Sequence, residues 1–218
     1  MGEIQPEGFL AVPTTGIGTG VLVLHAWWGL NDTIKGFCKK LAGNGFTAFA
    51  PDLYHGRIAD TIADAEVLGS ALDENYEQAR ADIVEAALFL KERTHQADQR
   101  LAVIAFSLGV YYALDLADTH PELIQSVVIY YGAGDGDYRN SKAAYLGHFA
   151  EDDQFEPQSN VDQLEVSLRQ AGHQVAFYRY PGTGHWFCEP DREDAYDENA
   201  ANLTWERTLA FLKKTSTV

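Results

Sequence analysis

The sequence predicts a mainly parallel, doubly wound α/β sheet of about seven or eight strands with helices on both faces. Two observations support this prediction. Short apolar or β-branched runs alternate with amphipathic stretches of helical spacing, and each run is followed by a loop containing glycine, proline or polar residues. The chain of 218 residues shows no repeat, linker or low-complexity segment, so we expect a single domain over residues 1–218.

The first half of the chain contains three predicted strands and two helical regions. The strands lie at residues 8–13, 21–24 and 45–50. Residues 33–43 are predicted to form a helix because their apolar side chains recur every three or four positions. Residues 58–93 have a helical pattern with acidic faces, and the polar residues 73–75 indicate a break between two helices.

The second half of the chain adds four predicted strands. They lie at residues 101–106, 126–131, 143–149 and 175–180. Helices are predicted at residues 110–119 and 156–171. Residues 191–214 are predicted to form a long final helix, because their acidic start and basic end match the helix dipole.

Composition and charge limit the classes of function. Apolar residues make up 46% of the chain, and 32 acidic against 16 basic residues give a net charge of −16. This sign disfavours a nucleic-acid partner. No lysine or arginine precedes Lys35, and no apolar run approaches the roughly 20 residues of a membrane span, so we expect a cytoplasmic protein without a membrane partner. Cys38 and Cys188 are predicted to be free thiols.

Ser107 directly follows the strand at residues 101–106, and the small residues Ala105 and Gly109 lie two positions before and after it. A serine on a sharp turn from strand to helix adopts a strained backbone conformation. Its neighbours must be small because the strand and helix pass close beside them. Such a turn would expose the hydroxyl above the edge of the sheet. The alternative is an ordinary loop in which Ser107 caps the following helix.

Two later strand ends carry the partners that a nucleophilic serine needs, a general base and a carboxylate that orients it. Asp153 follows the strand at residues 143–149, and His185 follows the strand at residues 175–180. Because the carboxyl ends of parallel strands share one edge of a sheet, we expect the three side chains to meet there. Their order along the chain, serine then acid then histidine, is that of the α/β hydrolases.

Five segments of the chain together resemble the dienelactone hydrolase family. They lie at residues 9–13, 21–29, 45–54, 146–157 and 180–187. The resemblance implies an α/β-hydrolase fold without a large cap domain, a cysteine or serine nucleophile, and no metal or organic cofactor. It makes Ser107 the nucleophile, Asp153 the acid and His185 the base.

The chain departs from the founding members of that family at several polar positions. Ser107 stands where they have cysteine, and Ala26 where they have a glutamate that activates the thiolate. Founding members hold the carboxylate of their substrate with arginines, and one of those positions falls near Glu189 here. Arg57 is a candidate for another. An acid in place of an arginine disfavours dienelactone itself as the substrate.

The resemblance also assigns the oxyanion-binding backbone N–H groups to Leu108 and Trp27. The predicted substrate pocket is lined by Trp28, Arg57, Trp186 and Phe187.

Some of these assignments have alternatives. Trp27 and Trp28 could be core aromatic residues, although at least one should line the pocket. Asp152 competes with Asp153 for the role of the acid. His25 either faces the pocket or bonds a loop carbonyl, and we expect the second.

These features predict a serine hydrolase that cleaves a small, neutral or weakly polar ester or lactone through an acyl-enzyme intermediate. It would act as a monomer or homodimer without a metal or cofactor. Two alternatives remain: a hydrolase-fold protein that binds or regulates without turnover, and an acyltransferase that uses the same three residues.

Overall fold

The computed structural model describes residues 5–94 and 100–216. Its strands are β1 (Gly8–Ala11), β2 (Thr19–Leu24), β3 (Phe46–Pro51), β4 (Leu101–Phe106), β5 (Ile124–Tyr130), β6 (Ala144–Ala150) and β7 (Val175–Tyr180). Its helices are α1 (Asp32–Ala42), α2 (Ile62–Glu74), α3 (Tyr76–Glu92), α4 (Leu108–Thr119), α5 (Gln158–Gln170) and α6 (Glu198–Thr215).

The strands form one seven-stranded sheet in the order β1-β3-β2-β4-β5-β6-β7. β1 pairs antiparallel with β3, and every other pair is parallel. β3, β4 and β5 are buried along their whole length, which explains why their sequences are apolar almost without interruption. The predicted mainly parallel α/β sheet is confirmed.

The direction of the crossovers changes between β2 and β4. From β2 the chain crosses to β3, which lies toward the β1 edge of the sheet. From β4 it crosses to β5, which lies toward the β7 edge. Right-handed crossovers therefore place α1 on one face of the sheet and α4 on the other. Phe37 of α1 packs against Trp205 of α6 with 5.3 Å between ring centroids, so α6 shares the face of α1. Ligands of such sheets bind at the carboxyl ends of the two strands where the direction changes.

One helical region divides where the sequence predicted a break, and another helix begins later than predicted. Asn75 separates α2 from α3, at the break predicted for residues 73–75. The final helix α6 begins at Glu198 rather than at residue 191, because the Asp197 side chain caps it by accepting the N–H of Ala200. The acidic residues before Asp197 lie in turns instead of the first turn of a helix.

Within residues 5–94 and 100–216, no helix is long and apolar enough to cross a bilayer. The same ranges contain no separate cap domain. They also contain no group of three or more histidine, cysteine or acidic side chains arranged to hold a metal ion. Cys38 and Cys188 are free thiols, as predicted.

Gly109 marks the closest approach of α4 to the sheet. A Cβ atom at this position would lie 2.8 Å from the carbonyl oxygen of His25 and 2.9 Å from the Cβ of Leu24. Both atoms belong to a buried strand end and have little room to move. The small residue two positions after Ser107 is therefore required by the contact between α4 and β2.

We expect Gly109→Ala to lower the free energy of unfolding by about 1–3 kcal/mol, because the added methyl group overpacks the contact between α4 and β2. Urea denaturation followed by circular dichroism would measure the change. The matched control is Gly36→Ala in α1, where an added Cβ meets no atom within 4 Å. This exposed change should raise stability by up to about 1 kcal/mol through helix propensity. Equal effects of the two substitutions would contradict the packing argument.

Candidate active site

Ser107 forms the turn between β4 and α4 with a positive φ of 46°, a conformation that is strained for a residue with a side chain. Two hydrogen bonds hold this backbone. Its N–H donates to the Tyr130 carbonyl and its own carbonyl accepts the N–H of Val110, both at 2.9 Å. The side chain does not cap α4. Its Oγ lies 2.9 Å from Nε2 of His185, so the helix-cap interpretation is wrong.

His185 is held on its other side by Asp153. Its Nδ1 lies 2.8 and 2.7 Å from the two carboxylate oxygens. Oδ1 of Asp153 also accepts the backbone N–H groups of Phe155 and Glu156 at 2.9 and 2.8 Å. The His185 and Asp153 side chains are only 4% and 3% exposed. With Nδ1–H donating to the carboxylate, Nε2 is free to accept the hydroxyl proton of Ser107.

The three side chains come from the loops that follow β4, β6 and β7, at the edge of the sheet where the sequence predicted them to meet. Asp153, not Asp152, reaches His185. Asp152 is exposed and its backbone N–H donates to the Thr183 carbonyl at 3.0 Å.

A cavity of about 480 Å³ opens over Ser107 and His185. Its walls are mostly aromatic. They are formed by Trp27, Asp73, Tyr76, Ser107, Leu108, Tyr111, Tyr112, Ala133, Phe155, Glu156, His185 and Trp186. The predicted residues Leu108, Trp27 and Trp186 therefore lie at the cavity.

The other three residues predicted for the pocket lie elsewhere. Trp28 is 2% exposed and packs behind Trp186, with 5.0 Å between ring centroids. Phe187 is fully buried against Tyr131. Arg57 is exposed and does not line the cavity. Trp186, which has a positive φ of 65°, and Phe187 are adjacent in the sequence, but only Trp186 lines the cavity.

His25 bonds a loop carbonyl, as expected, and does not line the cavity. Its Nδ1 lies 2.7 Å from the carbonyl oxygen of Ala26, and its Nε2 accepts the N–H of Leu53 at 3.3 Å. Burial lowers the pKa of this imidazole, which therefore stays neutral at pH 7. These bonds tie the loop that carries Trp27 to the loop after β3 and restrict the position of the Trp27 backbone.

Several cavity residues were not predicted from the sequence. Tyr111 and Tyr112 follow Leu108 by three and four positions, so helical periodicity could have placed them on the face that borders the site. Phe155 is 42% exposed and packs against the rings of His185 and Trp186, with centroids 5.3 and 4.7 Å away. Asp73 and Tyr76 come from the junction of α2 and α3, and no local pattern links that junction to the serine turn.

Glu189, near the position of a substrate-binding arginine in the founding family members, is buried behind the site. It is 1% exposed, and its Oε1 accepts the hydroxyl of Tyr131 at 2.8 Å. The Tyr131 ring in turn packs edge-on against His185 at 5.0 Å between centroids. Burial raises the pKa of Glu189 to about 8. This carboxyl does not line the cavity.

A serine on the turn after a central strand of a mostly parallel sheet, paired with a histidine from the last strand, is the arrangement of the α/β hydrolases. The protein is therefore an enzyme of the α/β-hydrolase class. The model of the dienelactone hydrolase family matches residues 7–216, and the chain belongs to this family.

Relatives and solved structures agree with this membership. "Protein usf" of Aquifex pyrophilus is 34% identical over 97% of this chain and 94% of its own length. A protein of Aquifex aeolicus (strain VF5) that carries the provisional name carboxymethylenebutenolidase is 31% identical over 96% and 94%. A crystal structure from Klebsiella pneumoniae, provisionally described as a dienelactone hydrolase, superposes with a TM-score of 0.80 at 25% identity and covers 93% of this chain and 90% of its own.

The buried Glu189 predicts a pH dependence of stability. Its pKa is about 8 in the folded state against 4.5 ordinarily, so the folded state binds more protons between these values. The free energy of unfolding therefore falls as pH rises through this window, by at most about 1.4 kcal/mol per pH unit. Glu189→Gln keeps the acceptor for Tyr131 and removes the titration. The free energy of unfolding of Glu189→Gln minus that of the wild type should therefore increase from pH 5 to pH 8.5.

Urea midpoints of both proteins across this pH range would measure the effect. Glu193→Gln, at an exposed position of the same loop, serves as the control and should follow the wild-type curve. Parallel curves for wild type and Glu189→Gln would contradict a titration of Glu189 in this range.

Proposed function

We propose that this protein is a serine hydrolase that cleaves a small carboxylic ester or lactone. The observation that supports the proposal is the continuous contact from Ser107 Oγ to His185 Nε2 and from His185 Nδ1 to Asp153, at the floor of an aromatic cavity. Membership of the dienelactone hydrolase family and a relative named for carboxymethylenebutenolidase activity support the same substrate class.

The first half of the reaction forms the acyl-enzyme. Ser107 Oγ attacks the carbonyl carbon while His185 Nε2 takes the hydroxyl proton, and Asp153 stabilises the imidazolium that results. The tetrahedral intermediate then collapses. The bond to the leaving oxygen breaks as Nε2 returns the proton to it, which releases the alcohol or opens the lactone ring.

Water completes the reaction through the same groups. His185 Nε2 takes a proton from a water molecule whose oxygen attacks the acyl carbon. Collapse of the second tetrahedral intermediate returns that proton to Ser107 Oγ and releases the acid. The assembled contact between base and serine favours turnover over a role in binding alone.

The backbone N–H groups of Leu108 and Trp27 are suited to hold the oxyanion. Leu108 is the first residue of α4, so its N–H has no acceptor within the helix and lies at the positive end of the helix dipole. Trp27 follows β2, the strand that pairs with β4 beside the serine turn. Each such donor contributes on the order of 3 kcal/mol to transition-state stabilisation.

A fluorophosphonate should react once with the folded protein, because His185 activates the Ser107 hydroxyl. Intact-mass spectrometry would detect one adduct on the wild type and none on Ser107→Ala. The thermal unfolding midpoints of the two proteins should be compared to confirm that both are folded. A folded wild type that forms no adduct would show that Ser107 is not activated, and the hydrolase proposal would fail.

The pair of adjacent acids provides a second test. Asp153→Asn should lower kcat for p-nitrophenyl butyrate by about 10³- to 10⁴-fold, because an amide neither holds the required tautomer nor stabilises the imidazolium. Asp152→Asn is the matched control and should change kcat by less than about twofold, since its exposed carboxylate does not reach His185. Comparable losses in the two variants would show that the acid is misassigned.

A further inference from the structure

We propose that the substrate carries a cationic group, such as a quaternary ammonium, which is bound by Asp73 beside Tyr76 and Tyr111, while the buried Tyr112 holds Asp73 in place. This inference rests on the proposed ester hydrolysis at Ser107 and adds a substrate class to it.

The charge of the cavity wall is the first observation. Besides His185, the ionisable side chains that line it are two carboxylates, Asp73 and Glu156, and three tyrosines. Among the residues that the structure describes, no lysine or arginine lines this cavity. An anionic substrate would therefore meet carboxylates and no counter-charge, whereas a cationic one would meet complementary charge.

The three tyrosines form a compact cluster at the cavity. Ring centroids are 5.8 Å apart for Tyr76 and Tyr111, 5.7 Å for Tyr76 and Tyr112, and 5.8 Å for Tyr111 and Tyr112. Their planes are inclined to one another, with Tyr111 and Tyr112 at 90°. Tyr111 is 46% exposed and can present its ring to an ammonium, which aromatic faces attract within about 6 Å of the ring centroid, whereas Tyr112 is 1% exposed and supports the other rings from behind.

Asp73 is directed toward this cluster and has no counter-ion. The hydroxyl of Tyr112 donates to its Oδ1 at 3.2 Å, which holds the carboxylate at the cavity wall. Within residues 5–94 and 100–216 no arginine, lysine or histidine pairs with Asp73. The carboxylate can therefore accept a cationic partner from the solvent.

Arg80, which packs on the tyrosine cluster, is already paired with two carboxylates. Its Nε lies 2.7 Å from Asp115 and its Nη1 lies 3.2 Å from Glu77. Its guanidinium carbon is 5.4 Å from the centroid of the Tyr76 ring. The guanidinium stays charged and lies against the Tyr76 ring, but together with its two carboxylate partners it forms a group of net negative charge, which does not offset the charge of Asp73.

The distance from the reacting serine suggests the length of the substrate. Leu108 and Tyr112 are four residues apart on α4, which corresponds to about 6 Å along the helix. An ammonium a few bonds beyond the ester oxygen spans a separation of this order. Choline butyrate is therefore the cationic probe, and 3,3-dimethylbutyl butyrate, with carbon in place of the ammonium nitrogen, is its neutral isostere.

The experiment compares kcat/KM for these two esters at low ionic strength. The wild type should prefer choline butyrate. The ratio of kcat/KM for choline butyrate to that for 3,3-dimethylbutyl butyrate should be about fivefold lower in Asp73→Asn, because the substitution removes one exposed ion pair. Asn keeps the acceptor for the Tyr112 hydroxyl. Glu74→Gln removes the neighbouring exposed charge, which lies outside the cavity, and should leave the ratio unchanged. Added 0.5 M NaCl should reduce the wild-type preference.

A second readout does not need ester turnover. Choline should slow the fluorophosphonate labelling of Ser107 more than 3,3-dimethylbutan-1-ol does, and Asp73→Asn should remove that difference. Equal ratios in wild type and Asp73→Asn, or equal protection by the two alcohols, would overturn the cation site while labelling of Ser107 still supports the hydrolase. Absence of labelling in the folded wild type would overturn the hydrolase proposal and this inference with it.

Discussion

The strained turn at Ser107 is the constraint on which the rest of the structure depends. A side chain at positive φ in such a turn costs about 1–3 kcal/mol, and the surrounding elements must supply that energy. β5 accepts the Ser107 N–H, and Gly109 allows α4 to lie directly against β2. Gly132 contributes in the same way, since a Cβ there would lie 2.6 Å from the Ser107 carbonyl oxygen. The buried elements at the centre of the sheet therefore hold Ser107 in the conformation in which its side chain reaches the cavity.

The sheet and the proximity of Ser107, Asp153 and His185 could be predicted because their signals are local or topological. Buried parallel strands leave apolar runs, and the carboxyl ends of those strands share an edge. The pocket walls depend on side-chain direction and on contacts between distant segments. Trp28 and Trp186 are neighbours in space, yet only Trp186 lines the cavity, and sequence spacing does not reveal this difference. Asp73 reaches the site only through the packing of α2 and α3 on α4.

Burial favours the uncharged forms of several ionisable groups around the site. His148, beneath the loop that carries Asp153, bonds the Tyr180 and Thr208 hydroxyls, and burial lowers its pKa to about 3. His25 is likewise neutral, and burial of Glu189 favours its protonated form. The groups that hold the site from behind thus contribute hydrogen bonds and packing without net charge. Among the described residues, the carboxylates that line the cavity itself are those of Asp73 and Glu156.

Among the strands that the structure describes, β7 is one of the two at the edges of the sheet and pairs only with β6, and two of its six residues are exposed. His185 lies in the loop after this strand, whereas Ser107 directly follows a strand paired on both sides. An outer strand opens at a lower free energy than the centre of a sheet. Gentle heating or low denaturant should therefore separate His185 from Ser107 while most of the fold persists. Loss of activity would then precede loss of circular dichroism, and the working temperature range would be limited by one strand, not by the whole molecule.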